Sequence, residues 1–449
     1  MAKKLFGTDG IRGKANIFPM TPEVALALGK AVAKHFSTGQ RHKVVIGKDT
    51  RLSGYMLETA LTSGLVSMGV DVMLVGPMPT PAIAHLTRSL NADAGIVLSA
   101  SHNPAEDNGI KIFDGKGYKL PDSAEKEIEA MVYGGIDASH VQGGKIGKAH
   151  RVEDAKGRYI EFAKSTIGNM PLNSLKIVLD CAHGAAYNVA PKIFSELGAE
   201  VIAMNNTPNG LNINEDCGAL NPSGMAEKTR AEKADLGIAL DGDADRLIVA
   251  DEKGNVLDGD MLMAIFAKAM KEKGRLEKDT VVATVMSNAG FEEAMEKEGI
   301  KTVRADVGDR YVIDEMRKGN FNFGGEQSGH IVFGDFVTTG DGIISALQLM
   351  RVMAKRKKKL SELSGAMEKY PQILVNVRVK RKKPLAELKA AMKKAKEHGE
   401  KLGKFGRVLV RYSGTENLAR VMVEGKDEKK VREAADEIAE EIRREIGAD

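Results

Sequence analysis

The stretch Ser99-Ala-Ser-His-Asn-Pro104, which runs on to Lys111, is the part of the sequence from which the rest is interpreted. It follows the apolar run Ala94–Leu98, whose length and branched side chains predict a buried strand. Asn and Pro favour turns, so the polar segment predicts an exposed turn that carries Ser101 at the end of this strand. Ligands of α/β sheets usually bind at such strand ends. The alternative is an ordinary strand-to-helix loop whose polar side chains satisfy local backbone groups.

Length and composition limit the class of protein. A chain of 449 residues is too long for one core and predicts about three domains. Hydrophobic residues at 43% and charged residues at 29% are typical of a globular chain, and no apolar run approaches the ~20 residues of a membrane span. The first residues lack the apolar core of a signal peptide. We therefore expect a cytoplasmic protein with no membrane partner, in which Cys181 and Cys217 are free thiols.

Strand and helix patterns alternate along most of the chain, which is typical of α/β domains. Thr21 followed by Pro22 predicts the start of one helix, and the basic run from Arg351 to Lys359 is interpreted as part of a linker. The last part of the chain predicts a small α+β unit. The fold class is therefore α/β, with three α/β domains with mixed sheets and a smaller α+β C-terminal domain. The predicted bounds are 1–150, 151–252, 253–368 and 369–449.

The motif Asp241-Gly-Asp-Ala-Asp-Arg246 places three carboxylates at alternate positions, so in an extended segment they would point the same way. Such like charges repel unless a cation lies among them, and hard oxygen ligands suit Mg²⁺ or Ca²⁺. An EF-hand loop is one alternative, since Glu252 adds its last ligand position. Arg246 stands where that loop needs Gly, however, and the flanks predict strands rather than helices. A solvated acidic turn without metal is the other alternative.

Two further motifs carry groups that bind phosphate or sugar. Arg411-Tyr-Ser-Gly-Thr-Glu416 offers a guanidinium, hydroxyls and a glycine-exposed backbone, which suit phosphate, although a hairpin turn with a surface Arg is an equal alternative. Gly325-Glu-Gln-Ser-Gly-His330 could bind sugar hydroxyls or an amino group, although a lone His is more often structural. Lys111 and Arg12 lie in glycine-rich settings that favour ligand contact over a role as solvated surface charges.

A serine beside a divalent ion suits phosphoryl transfer better than acyl transfer, because the metal neutralises charge on the transferring group. Ser101 lacks the Gly-x-Ser-x-Gly elbow of hydrolases. A metal phosphatase or kinase is an alternative, although the sequence has no Walker-type phosphate loop. A further alternative is a protein that binds nucleic acid through the basic runs Arg351–Lys359 and Lys380–Lys383. These runs lack interleaved aromatic residues, and a net charge of +4 is too small to support nucleic-acid binding.

The sequence closely resembles the α-D-phosphohexomutase superfamily. Four motifs carry the resemblance in the expected order: Ser99 to Pro104, Asp241 to Arg246, Gly325 to His330 and Arg411 to Glu416. The opening Phe6 to Gly13 and the segment Gly210 to Cys217 fit the same family, so the resemblance covers essentially the whole chain. It implies four domains around a central cleft, each supplying one motif.

The resemblance also implies a role for each site residue. Ser101 is similar to the phosphoserine that donates and recovers the phosphoryl group, and it would bind one Mg²⁺ per chain together with Asp241, Asp243 and Asp245. Arg12, Lys111 and Arg246 resemble the cationic residues beside the transferring phosphate. The sugar contacts would be Gly308, Asp309, Glu326, Ser328 and His330. The clamp on the other phosphate would be Arg411, Ser413, Gly414, Thr415 and Arg420.

The implied reaction moves a phosphate within a hexose monophosphate through a hexose 1,6-bisphosphate. The sugar loop resembles that of the members acting on glucosamine phosphates, on the route to UDP-N-acetylglucosamine, with glucose and mannose phosphates as the alternative substrates. Ala244, Tyr412, Asn417 and Ala419 depart from the family pattern. The sequence leaves open how Ser101 is first phosphorylated and the oligomeric state, with a homodimer among the alternatives.

Overall fold

The computed structural model describes residues 4–7, 9–37, 42–139, 141–413 and 417–448. The chain divides into two compact units. The first comprises the chain up to Val285 together with Val303–Ser364, and the second comprises Met286–Thr302 together with the chain from Gly365 onward. This division follows packing, and the four domain bounds given above stay a prediction.

Each sheet of the α/β part, together with the helices that accompany it, is called a layer below. The first layer, in the first unit, has a six-stranded mixed sheet and four helices. Its elements are β1 (Ile11–Lys14), α1 (Pro22–His35), β2 (Lys43–Lys48), α2 (Ser53–Ser67), β3 (Asp71–Pro77), α3 (Thr80–Ser89), β4 (Ala94–Leu98), β5 (Asp107–Asp114), α4 (Asp122–Gly134) and β6 (Ala149–Arg151). The strand order is β1-β5-β4-β2-β3-β6, and only β5 runs antiparallel to its neighbours. Thr21 caps α1 as predicted, because its Oγ1 accepts a hydrogen bond from the Val24 amide at 3.4 Å.

The segment after β4 differs from the prediction. Asp107 to Lys111 were expected to continue a turn, but they belong to β5, which pairs with β4 on one side and β1 on the other. Pairing on both edges outweighs the local turn preference of Asn108 and Gly109. Gly109 is required at its position because a Cβ there would lie 2.5 Å from the Ser99 carbonyl oxygen. The chain therefore forms a hairpin whose loop presents Ser101.

The second layer is a five-stranded mixed sheet. Its elements are α5 (Ala155–Ser165), β7 (Lys176–Asp180), α6 (Val189–Glu196), β8 (Glu200–Met204), α7 (Ser223–Ala231), β9 (Leu236–Leu240), β10 (Leu247–Asp251) and β11 (Val256–Leu257). The order is β11-β10-β9-β7-β8, with β7 parallel to both neighbours and β10 antiparallel to both of its own. Cys181 and Cys217 are both buried and free, as predicted.

The third layer has a four-stranded sheet of order β13-β12-β14-β15. The elements of this part of the chain are α8 (Gly259–Lys271), β12 (Thr280–Thr284), α9 (Ala289–Lys297), β13 (Lys301–Ala305), α10 (Asp309–Gly319), β14 (Phe323–Gly325), β15 (Ile331–Phe333), α11 (Gly342–Arg356) and α12 (Leu360–Leu363). β14 is parallel to β12 and antiparallel to β15.

The predicted linker at Arg351 to Lys359 is wrong over its first six residues. Arg351 to Arg356 form the last turns of α11, whose apolar face is buried along most of its length. Asp341 caps this helix by accepting from the Ile344 amide at 2.9 Å, and it also accepts from the Tyr159 hydroxyl at 2.8 Å. These contacts anchor α11 in the first unit, so this basic stretch is a helix end rather than a linker.

The second unit contains a three-stranded antiparallel sheet. Its further elements are β16 (Gln372–Arg378), α13 (Lys389–Lys401), β17 (Arg407–Tyr412), β18 (Leu418–Glu424) and α14 (Glu428–Ile446), with strand order β16-β18-β17. Helix α9 belongs to this unit, where the Ala289 amide donates to the Glu424 carboxylate. The expected fold class, three α/β domains with mixed sheets and a smaller α+β C-terminal domain, is confirmed. In the described part of the chain, no helix combines the length and apolar character needed to cross a membrane.

Candidate functional site

Ser101 lies in the loop that follows β4, in the left-handed region of backbone conformation with φ of 52°. Its side-chain Oγ donates to Oδ2 of Asp241 at 2.6 Å and lies 3.3 Å from Nδ1 of His102. The exposed turn expected from the sequence is wrong, because Ser101 is fully buried. A neighbouring loop covers the hydroxyl, and burial removes the water that would otherwise compete for it.

A network of side chains fixes the backbone of the Ser101 loop. The Ser101 amide donates to Ser99 Oγ at 2.9 Å, and Ser99 Oγ donates to Asp49 Oδ2 at 2.5 Å. Arg51 pairs with Asp49 and donates from Nη2 to the Asn103 carbonyl oxygen at 2.5 Å. Because Asp49 and Arg51 are both buried, they hold the loop in a single conformation.

Asn214 supports the same loop from the second layer. Its Nδ2 donates to the carbonyl oxygens of Ser101 at 2.9 Å and of Asn103 at 3.1 Å. Sequence reasoning missed Asp49, Arg51 and Asn214 as site residues. The available signal was that Asp49 and Arg51 follow a buried strand directly, as Ser101 does.

The three aspartates gather in a turn and not in an extended segment, so the geometric premise of the prediction is wrong. Carboxylate oxygens of Asp241, Asp243 and Asp245 nevertheless lie within 4.8 Å of one another, and all three residues are buried. Ala244 has φ of 57°, which reverses the chain between the last two carboxylates. Gly242 is needed because a Cβ there would lie 2.5 Å from the Ser101 carbonyl oxygen.

Part of this cluster has no hydrogen-bond partner in the described residues. Oδ1 of Asp243 and Oδ1 of Asp245 are both buried and unpartnered. Buried carboxylate oxygens without partners carry a large desolvation cost, which a divalent cation would offset. Three convergent carboxylates with a nearby hydroxyl are the donor set that suits a hard cation. The residues present therefore fit a metal ion.

Lys111 on β5 is the cation already present in this cluster. Its Nζ lies 2.9 Å from Oδ2 of Asp243, 3.4 Å from Oδ2 of Asp245 and 3.5 Å from Oδ2 of Asp9. Burial opposes its charge, but the three carboxylates outweigh burial and raise the pKa of Lys111 well above its usual value.

Asp241 and Asp243 differ in how their surroundings shift their pKa values. Burial and the neighbouring carboxylates hold the pKa of Asp241 well above its usual value. Burial also opposes ionisation of Asp243, but Lys111 and a hydrogen bond from Thr80 Oγ1 at 2.6 Å hold its pKa below the usual value. The protein surroundings therefore stabilise the charge of Asp243 and disfavour that of Asp241.

Two guanidinium groups lie near Ser101. Arg12 on β1 pairs with Asp9, and Nε of Arg246 lies 3.8 Å from Oδ1 of Asp245. Burial lowers the pKa of His102, and the positive charges of Arg246 and Arg12 add to this, giving a value of about 4. His102 is therefore neutral near pH 7 and leaves the positive charge at this site to Arg12, Arg246 and Lys111.

The residues predicted to bind sugar also gather in the first unit. The Gly308 amide donates to Oε1 of Glu326 at 3.1 Å, and Ser328 Oγ donates to Oε2 of the same carboxylate at 3.3 Å. Nε2 of His330 accepts from the Gly340 amide at 3.1 Å and lies 3.5 Å from Oδ2 of Asp309. Nδ1 of His330 is buried and has no hydrogen-bond partner in the described residues.

The sugar-loop residues adjoin the aspartate turn directly. The Leu247 amide donates to the Gly329 carbonyl oxygen at 3.0 Å, and Arg246 forms a β-bridge with His330. The first unit therefore brings together the Ser101 loop, the three aspartates, the cations Arg12, Lys111 and Arg246, and the group around His330. Such a collection of buried, perturbed ionisable groups is typical of a catalytic site.

The predicted phosphate clamp lies in the second unit. Arg411 on β17 pairs in register with Arg420 on β18. The Ser413 amide donates to the Leu418 carbonyl oxygen at 2.9 Å, and Lys382 Nζ donates to the Ser413 carbonyl oxygen at 2.7 Å. The other two predicted residues, Gly414 and Thr415, lie outside the described residues. Two arginines at opposed positions of one hairpin suit an anion.

Comparison with known proteins matches the whole chain to one family. Four models of the phosphoglucomutase/phosphomannomutase family match in order: alpha/beta/alpha domain I over residues 3–136, domain II over 157–254, domain III over 258–370 and the C-terminal domain over 374–441. A phosphoglucosamine mutase of Pelobacter propionicus is 56% identical over 99% of both chains. One of Citrifermentans bemidjiense is 54% identical over 100% of this chain and 99% of its own.

Solved structures share the fold. A phosphoglucomutase/phosphomannomutase family protein of Burkholderia thailandensis superposes with a TM-score of 0.81 at 23% identity, over 98% of this chain and 97% of its own. An N-acetylphosphoglucosamine mutase of Aspergillus fumigatus, in complex with GlcNAc-6P and magnesium, superposes with a TM-score of 0.64 at 18% identity, over 98% of this chain and 96% of its own. At 23% and 18% identity, these two structures show a shared fold and nothing further.

Proposed function

The chain belongs to the phosphoglucomutase/phosphomannomutase family of mutases, and from this membership we propose that it interconverts glucosamine 6-phosphate and glucosamine 1-phosphate. The names of relatives that are 54–56% identical over nearly the full chain support this substrate. The observation that carries the chemistry is the buried Ser101 hydroxyl, which lies 2.6 Å from one of three convergent aspartates, with the Lys111 ammonium paired to the other two.

Ser101 is the proposed carrier of the phosphoryl group. In the phosphorylated enzyme, the free hydroxyl of the bound hexose monophosphate attacks the phosphorus of phospho-Ser101, and the Ser101 oxygen leaves. The product is a hexose 1,6-bisphosphate. Ser101 then attacks the other phosphate of this compound, which restores the phosphoenzyme and releases the isomeric monophosphate. Phosphate is conserved in this cycle, so no external donor is consumed.

Charge on the transferring group is balanced by residues of this chain. Arg12, Lys111 and Arg246 would stabilise the phosphoryl oxygens, which carry most of the charge in the transition state. Asp241, Asp243, Asp245 and Ser101 would hold Mg²⁺, which when bound would neutralise further negative charge. His102 is neutral near pH 7, and its Nδ1 lies 3.3 Å from the Ser101 hydroxyl oxygen.

The remaining predicted residues orient the sugar. Glu326, Ser328 and His330 would contact its hydroxyls or amino group, with Gly308 and Asp309 beside them. Arg411, Ser413, Gly414, Thr415 and Arg420 would hold the phosphate that does not react. Both orientations of the bisphosphate must be accepted by the same residues, which favours groups that recognise a phosphate without regard to the sugar.

A glucose or mannose phosphate is the second candidate substrate, because the matching family is named for mutases of these two sugars. Sugar phosphates are made and used inside the cell, so a cytoplasmic location goes with either proposal. The homodimer considered from the sequence remains a prediction.

The test is turnover of glucosamine, glucose and mannose 6-phosphates with Mg²⁺ and a trace of hexose 1,6-bisphosphate, for the wild type and for Ser101→Ala. We expect glucosamine 6-phosphate to be preferred and the variant to be inactive. Preference for another sugar would correct the substrate and leave the chemistry in place. Full activity of Ser101→Ala would overturn the proposed mechanism.

A further inference from the structure

Lys119 is a lysine with a largely covered side chain, and it joins two carboxylates from separate layers of the first unit. Its Nζ donates to Asp9, which precedes β1, and to Asp309, the first residue of α10. Its side chain is 8% exposed, and those of Asp9 and Asp309 are 24% and 12% exposed. We infer that Lys119 is a positioning residue, which holds residues 9–12 and the start of α10 together beside the site of the proposed reaction.

The contact is one half of a reciprocal pairing. Arg310, the next residue of α10, pairs with Asp122 and, through Nη2, with Glu125 Oε1 at 2.6 Å; the same Nη2 donates to the Leu120 carbonyl oxygen at 3.1 Å. The chain from residue 119 to 125 therefore presents one cation and two anions to a neighbouring anion and cation on α10. Reversed charges at adjacent positions fix the register of the two segments, because a shift by one residue would oppose like charges.

Each partner of Lys119 contacts a residue of the proposed site. On one side, Asp9 pairs with Arg12 and lies 3.5 Å from the Lys111 ammonium. On the other side, Oδ2 of Asp309 lies 3.5 Å from Nε2 of His330. The preceding Gly308 donates its amide to Glu326 at 3.1 Å. Through Asp9 and Asp309, Lys119 thus connects the cations Arg12 and Lys111 to His330.

The pKa shifts of Asp309 and Lys119 agree with an ion pair that holds the two segments together. Burial opposes ionisation of Asp309, but Lys119 outweighs it and holds the pKa of Asp309 below its usual value. Burial likewise opposes the charge of Lys119, whose pKa is raised by Asp309 and Asp9. Removal of the ammonium would leave two carboxylates close together at a poorly solvated position, and they would repel each other. The segment carrying Gly308 and Asp309 is then expected to move away from Asp9.

The test compares Lys119→Met and Lys119→Arg with the matched control Lys116→Met, a change at an exposed lysine of the same turn. The first readout is amide hydrogen exchange of residues 306–312. We expect Lys119→Met to raise the exchange rate there by about tenfold or more, with little change in Lys116→Met. Lys119→Arg should recover most of the protection, because a guanidinium can still serve both carboxylates.

The second readout rests on the proposed function. We expect kcat of Lys119→Met to fall by about 10- to 100-fold with a smaller change in KM, since misplaced groups reduce transition-state contacts more than ground-state binding.

Unchanged exchange at 306–312 in Lys119→Met would overturn the inference whatever the activity. If the wild type turns over no hexose phosphate, the proposed function fails and the exchange result alone decides this inference. If Lys119→Met does not fold, Asp309→Asn, which weakens the tie from the other side, must show the faster exchange at 306–312 for the inference to stand.

Discussion

Nζ of Lys111 lies 2.9 Å from Oδ2 of Asp243, and both side chains are almost completely buried. The ammonium occupies the edge of the aspartate cluster, so it compensates the same carboxylates that would bind a divalent cation. A lysine and a metal ion at such a site neutralise the same carboxylates. Each therefore reduces the electrostatic stabilisation that the other can provide.

Replacing Lys111 tests this relationship. Lys111→Met should lower the free energy of unfolding without metal by about 3–5 kcal/mol, because buried carboxylates lose their partner. Added Mg²⁺ should stabilise the variant more than the wild type, since its affinity for the more negative cluster rises. Thermal unfolding with and without Mg²⁺ measures both effects, with Lys116→Met as control. Equal stabilisation of variant and wild type by Mg²⁺ would contradict the shared role.

Asp243 provides the complementary test of the metal site. Its Oδ1 has no hydrogen-bond partner in the described residues, while its Oδ2 accepts from Thr80 and Lys111. Asp243→Asn should retain part of the Thr80 contact but lose the charge that attracts a cation. We expect Mg²⁺ to raise the melting temperature of the wild type and of the surface variant Asp137→Asn, but not of Asp243→Asn. A normal response of Asp243→Asn to Mg²⁺ would exclude this residue as a ligand.

The elements that could be predicted from the sequence are those stabilised by interactions between residues close together in the chain. The strand Ala94–Leu98 was predicted to the residue, because an apolar run buried on both faces carries its own signal. The strand Asp107–Asp114 was missed, because its partners β1 and β4 supply the stability that its turn-forming residues lack. Strand β4 is its neighbour in the chain, but β1 lies about a hundred residues earlier, and a local pattern cannot report pairing over that separation.

The same distinction applies to the site. Ser101 and the three aspartates could be predicted as candidate site residues because their motifs are short and resemble those of a known family. Asp49, Lys119 and Asn214 could not, since each reaches the site through contacts between distant parts of the chain. The exposure of Ser101 was misjudged for the same reason, because the aspartate turn that covers it lies 140 residues later.

Ala244 is a departure from the family pattern whose cost can be measured. Its φ of 57° is a conformation that glycine adopts freely and alanine adopts at a cost of about 1–2 kcal/mol. Ala244→Gly also loses a buried methyl group worth about 0.8 kcal/mol and makes the unfolded chain more flexible. We expect these effects to cancel to within about 0.5 kcal/mol by urea denaturation. Ala250→Gly, at a buried strand position, should cost about 1 kcal/mol or more. Equal losses for the two variants would show that residue 244 is not strained.

His85 gives the stability of the fold a pH dependence that does not involve the residues of the candidate site. Its ring stacks on Phe162 of α5, with centroids 3.8 Å apart and planes 14° from parallel. Burial lowers the pKa of His85 from the usual 6.5 to about 4, and the positive charge of Arg88 adds to this. Above pH 6.5 the ring is neutral in both the folded and the unfolded chain, so its contribution to stability is fully present there.

As the pH falls below 6.5, the unfolded chain binds a proton at this ring that the folded chain does not, so stability decreases until about pH 4 and then levels off. We expect the free energy of unfolding of the wild type to fall by about 2 kcal/mol more than that of His85→Phe over this window, a value reduced by the partial exposure of the ring. Phenylalanine keeps the stacking and does not titrate. Urea denaturation at several pH values measures the difference, with His150→Phe, at an exposed histidine of β6, as control. Parallel pH curves for the wild type and His85→Phe would show that this histidine is protonated equally in both states.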